Sequence, residues 1–145
     1  MKSLIVILSV VFSTLALADF NGSWSGNGKV TYSSGTAANC PSMEMQFSQS
    51  ATSFASTGAH IDCGQMTETM NSFTVGVVGQ DMVVGGKKIG TLTDHSLVFE
   101  VIDAKSGDKE SIHMDITAQG LSFLQQVTLA NGTKGFTVEG LLTPR

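Results

Sequence analysis

The sequence predicts an all-β protein, a closed antiparallel up-and-down β-barrel of about eight to ten strands stapled by one disulfide. Three observations lead there. Through residues 19–145 apolar and polar residues alternate at period two and never recur at helical spacing over three turns. Turn-forming pairs cut the alternation at short intervals: Ser34-Gly35, Gly85-Gly86, Ser106-Gly107, Gln119-Gly120 and Asn131-Gly132. And a meander in a chain this short exposes two unpaired edges unless its first and last strands join.

Each strand can be justified in turn. Over 23–32, Trp24, Gly26, Gly28, Val30 and Tyr32 share one face, against Ser25, Asn27, Lys29 and Thr31. Residues 33–42 are too few for an inserted helical pair, and 43–49 sets Met43, Met45 and Phe47 against Glu44, Gln46 and Ser48. Residues 48–58, rich in Ser, Ala and Thr, read as an exposed, weakly specified hairpin leading into a strand at 52–61. Strands at 66–77, 80–84 and 87–93 mix Phe73, Val75, Val77, Met82, Val83 and Val84 with glycines. In 95–103 both faces are apolar, so Val98–Ile102 offers a homodimer surface. Over 109–117, Ile112, Met114 and Ile116 oppose Ser111, His113 and Asp115. At 121–129, Phe123, Gln125, Val127 and Leu129 oppose Leu124, Gln126 and Thr128, and 134–143 closes the series with Phe136 and Val138 on one face. Asn131-Gly132 is the strongest turn signal, because both residues tolerate the positive φ of a two-residue hairpin.

Residues 1–18 read as a signal peptide: Lys2, an apolar run from Leu4 to Phe12, and small residues ending at Ala18, the expected cleavage point. The expected location is therefore secreted or periplasmic, with 19–145 a single domain. No stretch reaches the roughly 20 apolar residues of a membrane-spanning helix. The formal net charge is −4, and losing Lys2 makes it one unit more negative. No cationic run exceeds Lys87-Lys88, which argues against nucleic acid and anionic membranes as partners. In an exported chain the two cysteines, Cys40 and Cys63, form a disulfide rather than a metal site, since they lack Cys-x-x-Cys spacing.

Gly22-Ser23-Trp24 resembles the Gly-x-Trp signature that opens the first strand of lipocalins and their calycin relatives, and it stands just after the leader, where that family places it. The resemblance implies a lipocalin-like barrel with Gly22 and Trp24 at a closed floor. It also implies an arginine near the last strand lying across the indole, here Arg145, worth about 0.5–2 kcal/mol. It implies as well a small apolar ligand in the interior. The candidate lining residues are Met43, Met45, Phe47, Phe73, Phe99, Met114, Phe123 and Phe136, with strand glycines such as Gly26, Gly28 and Gly140 leaving room among them.

Other chemistry is less well supported. His60/Asp62 and His113/Asp115 each share a strand face, an arrangement that can orient an imidazole but equally marks a wet face. Met43/Met45 and Met66/Met70 invite Cu(I), yet methionine more often fills a core or lines a cavity. No catalytic motif is present, so neither enzyme activity nor a cofactor or metal is expected. The alternatives to a carrier are a periplasmic protease inhibitor acting through the tail Asp19-Phe20-Asn21, and a structural surface protein with a filled core.

Overall fold

The structure, a computed structural model, describes residues 19–145; the expected signal peptide lies outside the described residues. The strands are β1 (Gly22–Tyr32), β2 (Ala37–Gln49), β3 (Ser53–Asp62), β4 (Thr67–Met70), β5 (Phe73–Val78), β6 (Asp81–Val84), β7 (Lys87–Leu92), β8 (Ser96–Ile102), β9 (Lys109–Thr117), β10 (Gly120–Thr128) and β11 (Lys134–Pro144). All pairings are antiparallel. β1 is flanked by β2 and by β11, the latter from Trp24↔Pro144 to Tyr32↔Phe136. β2 pairs with β3, β3 with β5, and hairpins run consecutively from β5 to β11. The result is a closed ten-strand barrel. The strand at its floor end begins β1, and its rim carries the turns after β1, β3, β6, β8 and β10.

The eleventh strand, β4, arises because the expected strand 66–77 breaks at Asn71-Ser72. β4 continues the line of β5 along β3, from Asp62↔Thr67 to Ala59↔Met70. The physical reason lies on the other edge. β6 is four residues long and reaches only Gly76 of β5 before Gly85 and Gly86, both at positive φ, turn the chain. β7 in turn pairs with β8 only up to Phe99. β4 therefore has a ladder partner on β3 alone, and the wall has an aperture between β4 and the rim half of β8.

Two other segments depart from expectation. β2 begins at Ala37, so Cys40 is already in the barrel wall, and Cys40–Cys63 ties β2 to the end of β3. The small-residue stretch 48–58 is firmly specified: Ser50 Oγ accepts from the Thr52 and Ser53 backbone N–H groups, and Phe54 is fully buried. After β10, only Gly132 takes positive φ; Asn131 instead accepts the Thr133 N–H through Oδ1 in a longer loop.

The lower barrel is solid. Phe20, Trp24, Phe47, Phe54, Leu97, Leu121 and Leu142 are buried there, and the Trp24 Nε1–H donates to the Phe20 carbonyl at 2.9 Å. Residues 19–21 are tied down rather than trailing. The Phe20 N–H donates to Gln49 Oε1 at 3.1 Å, Asn21 Oδ1 accepts from the Gln49 N–H at 2.5 Å, and the Phe20 ring meets Phe54 edge-on with centroids 6.1 Å apart. Arg145 emerges on the outer wall, where its guanidinium donates to Glu44 Oε1 at 3.0 Å and its side chain is 64% exposed. Phe20, not the arginine, supplies the indole's hydrogen-bond partner. Outside, Val98 and Ile102 face away from the core, with His113 between Val98 and Leu124 in register, and Ile102 is 69% exposed.

Candidate ligand-binding site

The inward positions between β4 and β9 line an open-sided chamber of about 510 Å³ at the aperture. Its apolar walls come from Met70 of β4, Phe73 and Val75 of β5, Met82 of β6, Ile89 of β7, Phe99 of β8 and Ile112 of β9. Period-two alternation aims these side chains inward except Ile89, which the β6–β7 bulge skips in the ladder, and the missing ladder beside β4 leaves the way in. A volume of this size falls within the usual range for small-molecule sites. The rings form a chain from floor to chamber: Phe54 to Phe73 at 6.4 Å, then Phe73 to Phe99 at 5.9 Å between centroids.

Of the eight candidate lining residues, Phe73 and Phe99 lie on the chamber wall. Met43, Met45, Phe47, Met114 and Phe123 are buried as core filling, and Phe136 packs half-buried against them. The strand glycines do not leave free space. Gly28 and Gly140 face each other across β1 and β11, and Met43 lies over both, so that a Cβ on either would come 2.5 Å from its Sδ. Gly26 is pressed against the β11 backbone at Leu141.

The chamber also has a polar end that the sequence reading passed over. Glu68 of β4 and Glu110 of β9 line it, and Gln125 of β10, 0% exposed, carries its amide between them. Gln125 Nε2 donates to Glu68 Oε1 at 2.9 Å and to Glu110 Oε1 at 2.8 Å. Gln125 Oε1 and Glu68 Oε2 are buried without a hydrogen-bond partner among the described residues. Burial pushes the Glu110 carboxyl above the ordinary range; the amide of Gln125 works against that, and Glu68 adds to it. The ion pairs among the described residues leave both carboxylates out: Lys109, next to Glu110, turns outward to Glu100 at 3.3 Å. One signal for this cluster was present in the sequence, namely Gln125 standing in the inward register between Phe123 and Val127.

The histidine pairs sit on the outer wall. His113 Nε2 is 3.0 Å from Asp115 Oδ2, both about half exposed. His60 Nδ1 lies 3.4 Å from Thr69 Oγ1, while Asp62 accepts the Gly64 N–H in the turn after β3. No group of three or more His, Cys, Asp or Glu side chains converges as a metal site among the described residues. Met43 and Met45 are core residues. No described helix is long and apolar enough to cross a membrane. No protein-family model and no curated protein matches this chain.

Proposed function

We propose that this protein is an exported, non-catalytic carrier, lipocalin-like in design, that takes a small, largely apolar molecule into the rim half of its barrel. The observation that carries the reading is the apolar chamber of about 510 Å³ reached through the gap between β4 and β8. A barrel that served only as scaffold would gain by filling that volume, because empty apolar space forfeits packing. Here the floor half is filled, and in the rim half the side between β4 and β9 is not. The buried disulfide suits an oxidising compartment and so supports export. The inhibitor alternative needs a free N-terminal tail, and Phe20 is fully buried in the floor.

Native mass spectrometry of the protein purified from its own host, together with titration of hydrophobic dyes, tests the reading. The expected result is a bound small molecule or dye uptake that Ile89→Trp abolishes by blocking the chamber. A bare polypeptide mass with no dye uptake overturns it.

A further inference from the structure

The polar end of the chamber is built around a deficit of donors. Two carboxylates face inward in the rim half, and among the described residues they are joined through the two N–H bonds of one amide. Buried carboxylates are tolerated when paired or well hydrogen-bonded, since desolvation of an unpaired charge is costly. Here an oxygen of Glu68 and the carbonyl oxygen of Gln125 are buried with no donor among the described residues, whereas buried polar atoms in folded proteins are as a rule satisfied. The orientation of the amide matters as well. With Nε2 spent on both carboxylates, Oε1 is left as a third acceptor beside them.

Acceptors without donors specify the complementary ligand. A carboxylate or phosphate would add a third negative group to Glu68 and Glu110, so fatty acids are a poor match for this chamber. A neutral alcohol offers one donor. A primary ammonium offers three donors and a positive charge, matching three acceptor groups and two carboxylates. The rest of the chamber, with Phe73, Phe99, Met82 and Ile112, suits an apolar or aromatic body.

Resting on the carrier reading above, we propose that the ligand is an amphipathic primary amine, whose ammonium is held by Glu68, Glu110 and Gln125 Oε1 while its apolar body fills the chamber between β5 and β8. Glu68 and Glu110 then act as a two-pronged counter-ion, and Gln125 holds the prongs at the right separation. The raised proton affinity of Glu110 fits a site that stores an uncompensated charge until a cation arrives.

Three probes with one body and different heads test this on the full chain lacking the leader: 2-phenylethylamine, 2-phenylethanol and 3-phenylpropanoate, titrated by calorimetry at pH 7.5. The amine is expected to bind about tenfold or more tightly than the alcohol, and the acid least. Glu68→Gln and Glu110→Gln should each weaken the amine about tenfold and the alcohol by much less, with an unchanged far-ultraviolet circular dichroism spectrum showing that the variants are folded. Equal binding of amine and alcohol, or amine binding indifferent to the double substitution, overturns the head-group assignment while leaving the carrier standing. If wild-type protein takes up neither the probes nor a hydrophobic dye, the carrier reading fails and the assignment with it.

Discussion

Glu110 is where a single side chain sets a measurable property of the unliganded protein. Its carboxyl is pushed up chiefly by burial, so the folded state holds this proton more tightly than the unfolded state does. The consequence follows from linkage: between the unfolded and folded pKa the native state binds more protons, and stability falls as pH rises through that window. Among the facing groups Glu68 adds to this direction and the Gln125 amide opposes it. Val101 of β8 and Val127 of β10 flank Glu110 in register without charge, and Asp103, Asp108 and Lys109 share the rim depression beside it. Denaturant melts of Glu110→Gln are therefore expected to show a gain in stability near neutral pH and a flatter profile than wild type as pH rises above the ordinary carboxylate range. A bound amine acts oppositely, favouring the charged carboxylate, so amine affinity should drop as pH is lowered toward 5. Gly28 gives a second residue-scale prediction. Because a methyl there meets Met43 Sδ on one side and the Glu139 carbonyl on the other, Gly28→Ala should cost about 1–3 kcal/mol by overpacking, read as a lowered urea midpoint. Neither effect was legible beforehand. The sequence shows that Gly28 and Met43 face inward, but which side chain crosses the barrel to fill the space over a glycine depends on three strands at once.

Strands were readable where local chemistry determines them and obscure where a partner strand does. Alternation placed β1, β9, β10 and β11 within a residue or two, and the glycines at 35, 85, 86, 107, 120 and 132 all take the positive φ that made them turn signals. The break between β4 and β5 had no such signal, because it answers to the length of β6 and the extent of the β7–β8 ladder. That tertiary fact created the aperture, and so the chamber entrance. The β2–β3 seam carries a different constraint. Cys40 in β2 and Cys63 just past β3 are both buried, and their bond spans 23 positions, closing the loop that contains the whole β2–β3 hairpin. Reducing it should remove roughly 3 kcal/mol in the chain-entropy picture. Urea denaturation with and without reductant measures that loss, and the disulfide-free Cys40→Ala/Cys63→Ala protein should match the reduced form to within the cost of the lost side-chain packing.

Across the whole molecule, stability and the proposed binding occupy opposite ends of one closed wall. The floor half is a packed core stoppered by Phe20, and the rim half trades packing for volume. Closure by β1–β11 pairing lets one end stay open without unravelling the other, since among the described residues the unpaired strand edges of the wall are confined to the aperture between β4 with the start of β5 and the rim half of β8. If the division of labour is real, damage at the floor should be paid in stability and not in ligand response. Phe20→Ala empties a fully buried aromatic site and should cost about 3–5 kcal/mol. One ring, Phe54, stands between Phe20 and Phe73 on the chamber wall, so the loss of Phe20 should add to ligand effects rather than alter them. A ligand at a hundredfold its Kd stabilises a folded protein by about 2.7 kcal/mol whatever the starting stability. Melts of wild type and Phe20→Ala, each with and without saturating 2-phenylethylamine, should therefore show the same ligand-induced increment on different baselines. An increment that shrinks in the variant would mean that the aromatic chain transmits floor packing into the chamber, and that the two halves fold and bind as one unit.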